Sequence, residues 1–320
     1  MEIFLDSGKL ISKEEWEEKI DMIRKKVESL QNNKNIKNHK KLKEELKKNI
    51  LEAVKKRIPK SHFGVFLSGG VDSSFISLLC KKNTNDFTCY NVGFKDGDMD
   101  EAPDFVEAKK VAGDLGLTLI SKSYNIDEAE EIIKEVVEIL PNQEVNTDFV
   151  VKVGVASVVI AVDKIANSGE EDNNNNNEGK IFFSGLGSEE IFAGYKRHED
   201  SKDINEECWN GLKKMWGRDL VRDCTVGSKL GMDLRTPFLD ENVIITAMQI
   251  SDKEKIKEDV KKYVLREVAE ELGLPKEFAW RKKLGAQYGS RFDKAILKLA
   301  KKENINYKRD YLLKLVNGIN

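Results

Sequence analysis

The sequence predicts an α/β protein built on a doubly wound parallel sheet. Three observations predict it. From residue 63 onward, short apolar runs alternate with helical patterns, as strands and crossover helices do in parallel sheets. Two of those runs lead straight into glycine-rich turns that open helices. The flanks differ from this core: residues 1–60 read as a helical N-terminal segment and residues 201–320 as a helical C-terminal part, around an α/β core over 61–200.

Taken in order, residues 1–5 fit a strand or a loose arm. Ser12 with Glu15 three residues later reads as a capping box, and Trp16, Ile20, Ile23, Val27 and Leu30 form a helical stripe, so a helix is predicted over 12–30. The polar, Asn- and Lys-rich residues 31–41 predict a loop. A second helix is predicted over 42–58, with Leu42, Leu46, Ile50, Leu51, Val54 and Ile58 inward and Pro59 ending it. Lys and Arg crowd this region, which fits either a solvated helix face or a face for tRNA. Further strands are predicted over 87–93, 117–123 and 180–184, with helices over 102–115 and 128–140 and a long apolar helix over 149–166. Residues 167–179 are a low-complexity polar insert, predicted to be a disordered surface loop. From about residue 200 the chain reads mostly helical.

Composition narrows the function. The 320 residues suffice for one large or two ordinary domains, and a net charge of −2 gives no global attraction to nucleic acid or anionic membrane. Cys80, Cys89, Cys208 and Cys224 have neither CxxC nor metal-ligand spacing, and no signal peptide is visible, so they read as reduced core thiols of a cytoplasmic protein. The longest apolar stretch, 153–162, is too short to span a bilayer.

The chemistry concentrates in the two glycine turns. In the first, an apolar run ending at Leu67 is followed by Ser68-Gly69-Gly70-Val71-Asp72-Ser73-Ser74 and a helix. Glycines let the backbone approach an anion closely, and loop N–H groups with a helix N-terminus bind phosphate. The serines add hydroxyl donors, and Asp72 adds a carboxylate for Mg²⁺ or, more plainly, a helix cap. No GxxxxGK[ST] loop is present. The second turn, Ser184-Gly185-Leu186-Gly187-Ser188-Glu189-Glu190, repeats the arrangement. Two such turns on one parallel sheet can face each other across a ligand, with Asp72 and Glu189 around one Mg²⁺.

The order Ser-Gly-Gly-Val-Asp-Ser-Ser resembles the pyrophosphate loop of the ATP pyrophosphatases. Together with Ser184 to Tyr195, it resembles the synthetase domain of asparagine synthetases. Residues 235–240 (Arg-Thr-Pro-Phe-Leu-Asp), 262–267 (Lys-Tyr-Val-Leu-Arg-Glu) and 280–283 (Trp-Arg-Lys-Lys) continue that resemblance in the family's order. It implies an AMP-forming, ATP-dependent amidoligase on an adenine nucleotide alpha hydrolase-like fold. A substrate carboxylate, most simply aspartate, attacks the α-phosphorus of ATP, and ammonia then attacks the acyl-adenylate. Residue by residue, it implies that Ser68, Gly69, Gly70, Asp72 and Ser73, flanked by Leu67 and Ser74, hold phosphates and Mg²⁺. Val92 helps frame adenine at its strand end, Ser184 and Gly185 contact the nucleotide, Glu189 stands at a metal-binding position, and Lys262 contacts the leaving pyrophosphate. Arg235 and Asp240 fit either a site role or a salt bridge fixing the Pro-Phe turn. His39, His62 and His198 read as incidental, with His198 close to the site.

The sequence departs from glutamine-using asparagine synthetases. Residue 2 is Glu rather than the Cys nucleophile of a glutaminase half, so free ammonia, a separate glutaminase subunit or another nucleophile is expected. Leu186 replaces the family's Glu, Ala193 replaces a Gly, and residues 284–291 lack the usual acidic run. In residues 193–198 and 287–291 the chain looks more like the asparagine synthetase domain-containing proteins. Competing readings are a pyrophosphatase-loop enzyme acting on tRNA and a non-catalytic nucleotide-binding subunit. The sequence is compatible with a homo-oligomer.

Overall fold

The computed structural model describes residues 2–32, 38–140, 144–168, 180–282 and 285–319. Residues 33–37 of the polar link over 31–41 and residues 169–179 of the insert over 167–179 lie outside the described residues. So do Lys283 and Leu284.

An N-terminal hairpin, β1 (Leu5–Asp6) and β2 (Lys9–Leu10), precedes α1 (Lys13–Asn32). The capping box forms: Ser12 N donates to Glu15 Oε2 at 2.7 Å, and Glu15 N donates to Ser12 Oγ at 3.1 Å. Helix α2 (His39–Lys55) starts three residues before the apolar stripe because Asn38 caps it, accepting from Lys41 N.

Strands β3 (Phe63–Phe66), β4 (Phe87–Phe94), β5 (Leu119–Tyr124) and β6 (Lys180–Phe183) alternate with α3 (Val71–Asn83), α4 (Pro103–Leu115), α5 (Ile126–Ile139) and α6 (Thr147–Asn167). Short helices α7 (Ser188–Ile191) and α8 (Lys196–Glu199) follow, then α9 (Ile204–Met215), a π-helical turn over Trp216–Leu220 and α10 (Val221–Leu230). Here the structure corrects the helical reading of 201–320. Met232–Arg235 is a strand, β7, pairing in parallel with β6 from Lys180↔Met232 to Phe183↔Arg235. Four residues at a sheet edge are too few for their alternation to show in the sequence.

After β7 come α11 (Glu241–Gln249), α12 (Asp252–Lys255), a hairpin of β8 (Ile256–Lys257) and β9 (Val260–Lys261), and α13 (Tyr263–Glu271). Helices α14 (Lys276–Ala279), α15 (Ala286–Gly289), α16 (Phe292–Lys302) and α17 (Lys308–Ile319) complete the described chain.

The five-stranded sheet is parallel throughout, in the order β5-β4-β3-β6-β7. Strand residues alternate between two cores, as the two-residue period requires. Phe63, Val65, Cys89 and Phe183 join one core with α1, α2, α3, α11 and α13. Tyr90, Val92, Phe94 and Phe182 join the other with α5, α6 and α16. Gly64 faces the second core because the Phe182 ring occupies the space a Cβ would need. The N-terminal helices therefore pack into the same core as α3, the helix that follows the first glycine turn.

Candidate active site

The chain leaves β3 toward β4 and β5 on one side of the sheet, then returns to place β6 and β7 on the other. The carboxyl ends of β3 and β6 thus flank the topological switch point, where open parallel sheets hold their ligands. Both glycine turns lie there.

The first turn is shaped by Gly69, with φ +71°. A Cβ on it would lie 2.7 Å from Glu107 Cβ and 2.8 Å from the Glu107 carbonyl carbon, so only glycine fits. Gly70 opens α3 without a capping side chain. Ser68 N donates to Ser73 Oγ at 3.1 Å, and Ser73 Oγ is also within 3.2 Å of the Gly70 carbonyl. Ser74 is fully buried beneath the turn, and Leu67 is buried with its carbonyl accepting from Asn91 Nδ2 at 2.7 Å. Val92 lies two residues short of the end of β4, which runs on to Phe94, and its side chain is buried in the second core.

The second turn packs against the first. A Cβ on Gly185 would lie 3.0 Å from Asp72 Cβ, so glycine allows the two loops to touch. Ser184 N donates to the Arg235 carbonyl at 2.9 Å, anchoring the turn to β7. Gly187, at φ +93°, starts α7 and leaves room for the Leu239 side chain.

Between the turns sits Lys262. Its ammonium donates to Asp72 Oδ1 and Oδ2 at 2.9 and 2.8 Å and to Ser188 Oγ at 3.1 Å, and lies 2.8 Å from Glu189 Oε1. Lys262 precedes α13 with φ +57°, a left-handed conformation that costs a non-glycine residue about 1 kcal/mol. The side chain is nonetheless buried and held by three partners. Asp72 is buried, whereas Glu189 keeps 22% of its side chain exposed. The three residues expected to act together are therefore in mutual contact, on α3, α7 and the start of α13.

The sequence reading did not single out Ser188 or Gly194. Ser188 is the third partner of Lys262. A Cβ on Gly194 would overlap Glu189 Oε2 and Lys262 Cε. Arg281 was quoted only as part of a motif. It lies 3.6 Å from Glu107, the residue on which Gly69 packs, and among the described residues its buried Nη1 has no hydrogen-bond partner. Arg266, one turn along α13, ties this turn to the site by donating to the Ala279 and Arg281 carbonyls at 2.6 and 2.9 Å.

Other expectations change. Arg235 and Asp240 do not pair with each other. Arg235 pairs with Asp233 at 2.6 Å, and Asp240 pairs with Arg57 at 2.8 Å. His198 is fully buried, and its Nδ1 accepts from Tyr195 N at 3.0 Å. Burial, reinforced by Arg197 and Lys255, pushes its pKa down to about 4, so it is a neutral structural group. Glu190 is buried beside Arg218, and burial with the nearby Asp219 raises its carboxyl above the usual range. Burial pushes the Cys89 and Cys224 thiols up to about 12. Part of the basic set of α2 and the residues after it is engaged internally, while Lys40, Lys41, Lys48 and Lys55 are exposed. Lys43 and Lys47 pair with Glu271, and Arg57 is buried between Glu2 and Asp240.

Leu186 is partly buried and packs against the first core. With Phe4, Leu220, Cys224, Met232 and Thr236 it lines a cavity of about 390 Å³ beside the edge strand β7. Among the described residues, no helix is long and apolar enough to cross a membrane.

The donor set suits a hard divalent cation. Two carboxylates and a hydroxyl converge on one point, presently marked by the Lys262 ammonium, and oxygen ligands of this kind suit Mg²⁺.

The chain is similar to known proteins. The family model described as asparagine synthase matches residues 45–203 and 196–310. A Methanocaldococcus jannaschii protein named "Putative asparagine synthetase (glutamine-hydrolyzing) 1" is 30% identical over 286 residues, covering 77% of this chain and 49% of that protein. The Homo sapiens glutamine-hydrolyzing asparagine synthetase is 28% identical over 243 residues, covering 72% of this chain and 40% of that protein. The chain spans half or less of the length of these relatives. A solved structure of NMN synthetase from Francisella tularensis aligns over 86% of this chain and 93% of its own, with a TM-score of 0.42 and 13% identity. Both glycine turns and Lys262 fall inside the matched segments, and the chain belongs to the asparagine synthase family.

Proposed function

We propose that this chain is an ATP-dependent ligase that adenylates a carboxylate, releases pyrophosphate and forms an amide with ammonia. The convergence of Asp72, Glu189 and Lys262 between two glycine turns at the switch point carries this reading. The substrate is most simply aspartate, whose side-chain oxygen attacks the α-phosphorus as the bond to the β-bridging oxygen breaks.

The N–H groups of Ser68 to Gly70 and the start of α3 cradle the β- and γ-phosphates, with the Ser68 and Ser73 hydroxyls as donors. Ser184 and Gly185 face the nucleotide from the second turn, and the Val92 backbone frames adenine. Asp72 and Glu189 would hold Mg²⁺, which would neutralise charge on the phosphate oxygens. Lys262 turns its ammonium from the carboxylates toward the leaving pyrophosphate, where charge develops. Arg281 supplies a second cation beside the first turn. Ammonia, free or delivered by a separate glutaminase, completes the reaction.

The test measures pyrophosphate and AMP release from ATP and Mg²⁺, with aspartate and ammonium each supplied or withheld. AMP and asparagine should form only when both are present. Asp72→Asn should lower pyrophosphate release by about 100-fold or more, with cooperative unfolding retained. An unchanged rate in that variant would overturn the site assignment. Release that ignores aspartate would keep adenylation and discard the acceptor.

A further inference from the structure

A second group of ligating side chains lies outside this site. His39 stands on the first turn of α2, Glu254 on α12 and Glu267 on the second turn of α13. One ligand atom from each lies within 4.8 Å of the other two. His39 Nε2 is 3.3 Å from Glu254 Oε2 and 4.0 Å from Glu267 Oε2. A tetrahedral ion bound at about 2.0–2.1 Å places its ligand atoms about 3.3–3.4 Å apart. The observed spacing is within an ångström of that, so little movement is needed.

A second observation points to a ligand here. The Glu267 side chain is 26% exposed, but its Oε2 atom is shielded and, among the described residues, accepts no hydrogen bond. Lys43 lies 3.7 Å from it, but Lys43 donates at 2.7 Å to Glu271. Buried carboxylate oxygens are normally satisfied, and an orphan one facing an imidazole is poised for a metal. The supporting backbone is also fixed. Asn38 caps α2 one residue before His39, and the buried Lys255, next to Glu254, donates to Asn205 Oδ1 at 2.6 Å.

We propose that His39, Glu254 and Glu267 bind a divalent first-row transition ion, with water completing its shell. One imidazole nitrogen and two carboxylate oxygens form a borderline-to-hard donor set that suits Zn²⁺, Mn²⁺ or Fe²⁺ and not soft Cu(I). The ion clamps α2 to α12 and α13, the two helices on either side of the hairpin that leads into Lys262. It is thus a structural site behind the proposed catalytic lysine, and it stands whether or not the ligase reading holds.

The test uses the full chain, stripped of metal with a chelator and titrated with Zn²⁺ in excess Mg²⁺, which competes for sites built of oxygen ligands alone. Calorimetry should give one equivalent of Zn²⁺, and the melting temperature should rise on binding. His39→Ala and Glu254→Gln should each weaken binding about tenfold or more and remove the rise in melting temperature. Glu254 is on a short surface helix, so its variant folds even if loss of His39 disturbs α2. The proposal is overturned if the wild type shows no saturable Zn²⁺ binding, or if either variant binds with unchanged affinity.

Discussion

Lys262 donates to both carboxylate oxygens of Asp72, at 2.9 and 2.8 Å, across 190 residues of chain. Both side chains are at most 4% exposed. Removing Lys262 takes the ammonium from both oxygens of the buried Asp72, whereas removing Asp72 leaves Lys262 with Glu189 and Ser188. Lys262→Met should lower unfolding free energy by about 3–5 kcal/mol and abolish pyrophosphate release. Adding Asp72→Leu should restore much of that stability, because a buried pair replaced whole by apolar groups is close to neutral, yet activity should stay absent. Denaturant unfolding of the two single variants and the double variant checks this. Additive losses would mean that the pair is not coupled.

Gly194 governs how closely Glu189 and Lys262 approach, since a Cβ there would overlap atoms of both. Gly194→Ala should reduce pyrophosphate release about 100-fold, because shifts of about 1 Å in positioned groups cost that much. Its effect on stability should be smaller, about 1 kcal/mol, since Glu189 is partly exposed and can swing outward. Gly113 is the control. It lies exposed in α4 with nothing within 4 Å of its Cβ position, so Gly113→Ala should stabilise by about 0.5–1 kcal/mol and leave turnover alone. Thermal melts beside rate assays separate the two cases.

Arg57 joins three distant parts of the chain. It contacts Glu2 at 2.7 Å and Asp240 at 2.8 Å, all three side chains being at most 5% exposed. Arg57→Met should cost about 3–5 kcal/mol at neutral pH. Burial alone would raise the Asp240 carboxyl, but hydrogen bonds from Lys56 and Arg57 outweigh it and hold the pKa below the usual value. A depressed carboxyl stabilises the fold above its unfolded pKa of about 3.9 and loses that contribution as pH falls through the lower folded value. The gap between wild type and Arg57→Met should therefore narrow from pH 7 to pH 3. Urea titrations at both pH values measure it, and a constant gap would assign the loss to packing alone.

Legibility in the sequence followed range. Local signals held: the Ser12–Glu15 capping box formed, and both glycine turns lie at the carboxyl ends of parallel strands. The α5 start was misplaced by two residues because Asn125, rather than a later residue, caps it, with Glu128 closing the capping box. Strand β7 was missed because four edge residues carry no readable period. Ser188 and Gly194 gained meaning only once Lys262 was placed between the turns. The same holds for Arg235, whose partner Asp233 lies two residues away, on the strand the sequence did not reveal. Pairings across one or two hundred residues leave no local trace, so which charge meets which had to come from the fold.

His198 gives the last prediction. Its Nδ1 accepts from Tyr195 N, so the neutral ring carries its proton on Nε2, which is buried. Protonation would put a charge where water is absent and where Arg197 and Lys255 already repel it; Glu189 opposes this only in part. The folded pKa of about 4 lies below the unfolded value near 6.5, so the unfolded chain binds more protons between them. This contribution is complete above about pH 6.5 and is lost as pH falls toward 4, with a slope of up to about 1.4 kcal/mol per unit. His198→Gln keeps an acceptor for Tyr195 N but does not titrate. It should be less stable than wild type at pH 7 by about 1–2 kcal/mol, and the two should converge by pH 5. Urea unfolding at pH 7 and pH 5 decides the matter. Parallel losses in both proteins would show that the acid sensitivity arises elsewhere, in carboxylates such as Asp240.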